Sequence, residues 1–402
     1  MTLAALIAAY HEADDPPGTL RATLPLAGRT LVERQARLAA AAGADPIVIL
    51  VERVPPELIA AIDRMRAEGI SASVARTPAE AAEAIPADAR LLLMADGLVA
   101  DEDHLARVAT AGGSALLTIP DHMADGSFER IDADSHWAGL ALLDAGMLRQ
   151  TASTLGDWDL QSTLLRLIVQ SGARQFAIRG EAADDRLVIA ESAEDLEEVQ
   201  SLIVESASAA RGSWISRYLL SPVEQSATHA LMPTSVTPGW LYLAAAVTTG
   251  LGAILFTRGW LGVGMLLLLL ATPLDGTADR LAALRMQRRV EPDWWSYTLP
   301  IVSGMALAAL GYTLSAERGW GCLALVAATI AFLIALRGEL PDREIPGQAW
   351  LAEPKGMTWL LLPLALTGQW VAGLGVLACY AAGSFFWAQR QAHRPLSVPQ
   401  PD

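Results

Sequence analysis

The sequence predicts two structural classes in one chain: a water-facing α/β head of about two hundred residues, then an all-α bundle of about six membrane-spanning helices. Charge, hydropathy and local period all divide at the same place. Residues 1–210 carry 33 Asp and Glu against 16 Arg, a net of −17, while residues 211–402 carry 11 acids and 13 bases, a net of +2. The chain is 52% hydrophobic with a mean hydropathy of +0.33, and the apolar excess is concentrated after residue 238. Short apolar runs alternate with amphipathic stretches in the first half; long apolar runs fill the second.

The head reads as repeated βα units. Leu3–Tyr10, Pro46–Val51, Ile70–Ala75, Leu91–Ala95, Ala115–Ile119 and Gln175–Ile178 have strand character. Leu31–Ala42, Leu58–Glu68, Glu102–Ala111 and Leu160–Ser171 have helical period. Such alternation implies a mostly parallel sheet flanked by helices. The opening residues Met1–Ile7 have no basic leader and no small-residue cleavage site, so they read as the first strand. The acidic stretch Ala193–Ala210 closes the head as a helix.

Residues 211–238 form a juxtamembrane linker or helix, and Thr237-Pro238 supplies a hydroxyl cap and a first-turn proline for the helix that follows. The membrane portion, 239–390, contains the runs Trp240–Thr257, Trp260–Leu274, Trp295–Leu314, Trp320–Leu336, Met357–Thr367 and Trp370–Trp387, with a tail at 391–402. About 20 residues cross a hydrocarbon core, so the second and fifth runs are short. Tryptophan opens most runs, where an amphipathic ring sits at headgroup level. Arg280, Arg285, Arg288, Arg289, Arg337, Arg343, Lys355, Arg390 and Arg394 fall on one side, and Arg258 and Arg318 on the other. The positive-inside rule then places head and C-terminus in the cytoplasm; the expected location is a bacterial inner membrane.

Composition excludes several functions. An acidic head without a basic stripe does not neutralise phosphates, which argues against nucleic acid as a partner. Cys322 and Cys379 both lie in apolar runs and suggest neither a disulfide framework nor a zinc site. A transporter would show broken mid-span helices with charged residues, which these runs lack. The chain has one lysine, Lys355.

Ionisable residues at the end of a span are functional candidates, and Pro273-Leu274-Asp275-Gly276-Thr277-Ala278-Asp279-Arg280 opens the polar segment expected to join spans two and three. Thr237-Pro238, a span, a second span ending Leu274-Asp275-Gly276 and then an arginine-rich stretch resemble the CDP-alcohol phosphotransferases. Their signature is D-x-x-D-G-x-x-A-R-x8-G-x3-D-x3-D, whose aspartates hold divalent metals on the pyrophosphate of a CDP-alcohol. Laid on this chain, the signature's first aspartate matches Asp275 and its alanine Ala282. The other positions fall on Ala278, Asp279, Ala283, Pro292, Ser296 and Pro300. Asp279 lies one helical turn after Asp275, so the two carboxylates share a face. The resemblance therefore implies Asp275 and Asp279 as catalytic and metal-binding residues for Mg²⁺ or Mn²⁺. It implies Arg280, Arg285, Arg288 and Arg289 as phosphate-facing groups, and a CDP-alcohol with an alcohol or lipid acceptor as substrates.

In the head, Arg21–Arg34 (RATLPLAGRTLVER) resembles the second half of the sugar-phosphate nucleotidyltransferase signature, K-x-L-x-P-V-x-G-x-P-L-I. Ala95-Asp96-Gly97 resembles that family's metal-binding loop, and Glu191–Leu196 its D-T-P-E-D-L stretch. This implies a Rossmann-like head with Arg21 and Asp96 as nucleotide-binding positions. The glycine-rich phosphate loop of that family is replaced here by Tyr10-His11-Glu12-Ala13-Asp14-Asp15, bulky and acidic where phosphate would approach. The order of parts is similar to bifunctional proteins joining an inositol-phosphate cytidylyltransferase to a CDP-inositol-using transferase. Two expectations follow: a divergent CDP-alcohol phosphotransferase, or a non-catalytic paralogue that scaffolds or regulates an active homologue or binds lipid. In either case the chain is expected to form a homodimer or a heteromer with an intact homologue.

Overall fold

The computed structural model describes residues 2–124, 126–154, 159–178, 187–197, 199–200, 213–232, 234, 236–285, 294–340 and 347–393. The chain forms two compact units, one of residues 1–203 with 285–288 and one of residues 204–284 with 289–402.

The first unit is the α/β head. Its strands are β1 (Leu3–Ala8), β2 (Pro25–Leu26), β3 (Arg29–Thr30), β4 (Ile47–Leu50), β5 (Ala72–Ala75), β6 (Arg90–Met94), β7 (Leu98–Val99), β8 (Ala115–Pro120), β9 (Ser135–Asp144), β10 (Arg174–Ala177) and β11 (Val188–Ile189). Between them run α1 (Leu31–Ala41), α2 (Pro56–Ala67), α3 (Pro78–Ala84), α4 (Glu102–Ala109), α5 (Ala145–Thr154) and α6 (Leu160–Gln170). Seven strands make one sheet in the order β10-β8-β9-β6-β1-β4-β5. β1 pairs parallel with both β4 and β6, and its side chains are almost all buried because helices cover both faces.

The six expected strands and four expected helices are present with ends moved by at most two residues. The long strand β9 was not anticipated. It runs antiparallel between β6 and β8, so the sheet is mixed at that position. Its segment Trp137–Leu143 is a continuous apolar run without strand alternation, and period alone does not separate such a run from a buried helix. The expected helix at Ala193–Ala210 is helical at 193–197, and most of its remainder lies outside the described residues.

A buried ion cluster fixes the start of α1. Glu33 is fully buried and closes a capping box with Thr30. Arg64 from α2 donates Nε to Glu33 Oε1 at 3.0 Å and Nη2 to Oε2 at 2.7 Å. Arg37 makes the matching pair of bonds to Glu68 Oε2 at 2.9 and 2.8 Å. Burial by itself would raise the Glu33 carboxyl, but the bonds from Arg64 and Thr30 outweigh it and hold the group below its ordinary value. That stabilisation is present above the unfolded-chain value near 4.5 and is lost as pH falls through the lower folded value. Glu33→Ala is expected to cost about 1–3 kcal/mol, at the low end because Arg64 is partly exposed and rehydrates. Hydrogen exchange of the α1 amides checks this: protection falls at neutral pH and loses the wild-type decline below that value.

The second unit is helical: α7 (Trp214–Tyr218), α8 (Ser221–Leu231), α9 (Pro238–Thr257), α10 (Leu261–Leu284), α11 (Trp294–Arg318), α12 (Gly321–Glu339), α13 (Pro354–Leu366) and α14 (Trp370–Ala392). The stretch expected as a juxtamembrane linker or helix contains two helices, and both belong to this unit. Among the described residues, five helices are long and apolar enough to cross a membrane: α9, α10, α11, α12 and α14. The fifth expected span corresponds to α13, which has 13 residues and reaches about 20 Å, short of a core of about 30 Å.

Small residues set the spacing of the bundle. Gly252 on α9 faces Gly264 on α10, and a Cβ on either glycine would collide with its neighbour. Trp240, Trp260, Trp320 and Trp387 are exposed near helix ends, as interfacial anchors require. The protein is expected to stay with the membrane pellet through an alkaline carbonate wash and to leave it only with detergent.

Candidate functional site: a lysine between two aspartates

The polar segment after Pro273 is helix, not a connecting loop. α10 continues through it to Leu284, with Thr277 Oγ1 donating to the Pro273 carbonyl at 2.7 Å. Helical geometry then does what the four-residue spacing implies: Asp275 and Asp279 lie on one face. Between them stands Lys355, next to the start of α13. Its Nζ is 2.6 Å from Asp275 Oδ2 and 2.9 Å from Asp279 Oδ2. Tyr242 of α9 donates its hydroxyl to Asp279 Oδ1 at 2.7 Å. Burial would pull the Lys355 ammonium down, but the two carboxylates outweigh it and raise the group well above its ordinary value. The lysine is therefore a fixed cation.

One residue further, the α10 surface turns to a second pair. Arg280 is buried and donates Nε to Glu224 Oε2 of α8 at 2.9 Å, while Ser216 of α7 donates to Glu224 Oε1 at 3.2 Å. Burial raises the Glu224 carboxyl, opposed by the charges of Arg280 and Lys355. Gly276 faces this carboxylate so closely that any Cβ there would overlap it.

Of the groups expected to face phosphates, Arg280 is thus committed to Glu224 inside the unit. Arg285 falls in the first compact unit. Arg288, Arg289 and Pro292 lie outside the described residues, and Pro300 lies within α11. Sequence reasoning placed Asp275 and Asp279 together but assigned Lys355 only to the loop charges. Its signal was its singularity, since no other lysine exists in the chain.

The arrangement does not fit a resident Mg²⁺ or Mn²⁺. A divalent ion sits about 2.0–2.6 Å from its oxygen ligands, where the Lys355 ammonium already bonds the same two Oδ2 atoms. No group of three or more His, Cys, Asp or Glu placed to hold a metal occurs among the described residues.

In the head, Arg21 and Asp96 belong to different contacts. Arg21 pairs with Glu191 Oε1 at 3.0 Å and donates Nε to the Glu12 carbonyl at 3.2 Å. Asp96 Oδ2 accepts from the His11 backbone N–H at 2.7 Å and lies 3.5 Å from its Nδ1. His11 is held above its ordinary value, chiefly by the contact of its imidazole with the Asp96 carboxylate.

Fold and cluster together define a membrane protein with a mixed α/β head and a charge-paired helical bundle. No protein-family model matches the chain, and no curated protein matches it.

The Glu224–Arg280 pair gives a test in which local and tertiary effects oppose each other. Gly276→Ala in an isolated helix would stabilise by about 1 kcal/mol. Here the methyl displaces the Glu224 carboxylate and strands two buried charges, a loss of about 3–5 kcal/mol. Thermal unfolding of the detergent-solubilised chain should show a marked drop.

Proposed function

We propose that this chain is a non-catalytic membrane protein on the frame of the CDP-alcohol phosphotransferases it resembles, acting by binding an intact homologue or lipid. The observation that supports this reading is the Asp275–Lys355–Asp279 bridge. Phosphoryl chemistry of that family needs divalent charge to grip a pyrophosphate. This chain keeps one signature aspartate, supplies Asp279 as a second carboxylate, and satisfies both with its own ammonium. The head is consistent with the same reading: its Arg21 is tied to Glu191, and Tyr10 and His11 stand where a phosphate loop would be glycine-rich.

We place the protein in a bacterial inner membrane with head and C-terminus in the cytoplasm. Arg280, Arg337, Lys355 and Arg390 fall toward one set of helix ends, against Arg258 and Arg318 at the other. Lys355 also tethers α13 to α10, and a tether at this place is what excludes the metal.

Purified full-length protein should incorporate no label from CDP-alcohols with Mg²⁺ or Mn²⁺. By electron paramagnetic resonance, wild-type protein should leave Mn²⁺ free, whereas Lys355→Met unmasks two neighbouring carboxylates and should bind it at least about tenfold more tightly, a difference of about 1.4 kcal/mol. Turnover by wild type, or wild-type Mn²⁺ binding abolished by Asp275→Ala, would overturn the proposal. Co-purification of a signature-bearing homologue from native membranes tests the partner.

A further inference from the structure

Among the described residues, Asp96 of the head is a buried carboxylate with one oxygen left unmet. Asp96 follows β6 beside the carboxyl end of β1. The chain leaves β1 toward β4 and β5 on one side and returns through β6 on the other. In open α/β sheets, ligands bind in the crevice at such a reversal.

The turn that carries Asp96 is held from several directions. Gln35, fully buried in α1, donates Nε2 to the Ala95 carbonyl at 3.0 Å and to the Leu98 carbonyl at 3.1 Å, straddling the aspartate. Gly97 has φ +76° and abuts Ala190, whose N–H donates to the Gly97 carbonyl at 2.8 Å. A side chain at position 97 would be strained by backbone and blocked by Ala190. The Asp96 N–H donates to Gln161 Oε1 at 3.3 Å. Within this frame the Asp96 side chain is 1% exposed. Its Oδ2 is satisfied by His11, while its buried Oδ1 accepts no hydrogen bond among the described residues. An unmet buried acceptor costs about 1–3 kcal/mol, more when charged. A preorganised turn that maintains such a cost has the character of a site awaiting a donor.

The neighbours select the donor. The N-terminus of α6 would be an anion seat, but Asp159 occupies it, accepting from Ser162 N–H at 2.7 Å and from the Tyr10 hydroxyl at 2.7 Å. Ser162 donates its own hydroxyl to Glu129 Oε2 at 3.1 Å. Glu129 is raised by burial and by the charge of Asp159. Three carboxylates thus gather near this crevice, Arg21 is drawn to Glu191, and a phosphate would meet repulsion. A metal lacks the necessary group of ligands among the described residues. A positively charged N–H donor satisfies both the open oxygen and the local charge.

We propose that the β1–β6 crevice binds a small primary alkylammonium ion, whose N–H donates to Asp96 Oδ1. The proposal is independent of whether the membrane unit catalyses anything. Isothermal titration of the full-length protein in detergent with ethylammonium chloride should show saturable binding. Tetramethylammonium, with the same charge and no N–H, should bind at least about tenfold more weakly, as loss of a charged hydrogen bond implies. Asp96→Asn should weaken ethylammonium by a similar factor, and Asp63→Asn, on the exposed face of α2, should leave it unchanged. Should Asp96→Asn fail to fold, Asp159→Asn keeps the Asp96 turn and should weaken binding in the same direction. Absence of saturable heat, equal affinity for the two cations, no effect of a folded Asp96→Asn or Asp159→Asn variant, or displacement of ethylammonium by CTP with Mg²⁺ would each overturn it.

Discussion

Asp275 and Asp279 sit one turn apart at the polar end of an otherwise apolar helix, where two unscreened carboxylates would repel each other and lose hydration. The ammonium of Lys355 between them removes both problems. The same contact ties the short α13 to α10, and Tyr242 extends it to α9. Glu224 and Arg280 repeat the device one residue further around the helix and bring in α7 and α8. The polar end of the membrane unit is therefore organised by charge pairing, while glycines such as Gly252 and Gly264 set the apolar contacts by close approach.

The head uses buried charge in two contrasting ways. Around Glu33 every carboxylate oxygen is met by Thr30, Arg64 or the flanking arginines, so the cluster locks α1 and α2 together and leaves nothing for a ligand. Around Asp96 the backbone is held as firmly, yet one oxygen is left open. Saturation marks the first as structural; the open acceptor at a strand-order reversal marks the second as a place for something else.

Both parts of the chain show why resemblance by motif is a weaker guide than pairing in space. Arg280 stands in the arginine-rich stretch that suggests a phosphate clamp, but its guanidinium is turned into the protein toward Glu224. Arg21 stands where a signature lysine would reach a nucleotide and is instead drawn to Glu191. An arginine's position in a sequence fixes its charge and leaves its partner undecided.

Much of the architecture was legible because its causes are local. Alternation of short apolar runs with amphipathic stretches revealed β1, β4, β5, β6, β8 and β10, and long apolar runs opened by tryptophan revealed the spans. The four-residue spacing of Asp275 and Asp279 was enough to place both on one helical face. β9 escaped because its apolar run has no alternation, and α10 was cut short because polar residues after Pro273 look like a loop when their partners are unseen. Those partners lie far along the chain: Lys355 is 76 residues beyond Asp279, and Glu224 is 56 residues before Arg280. Period and hydropathy act over a few residues and so are written in the sequence. Which cation meets which carboxylate depends on how helices pack, and only the tertiary structure decided that.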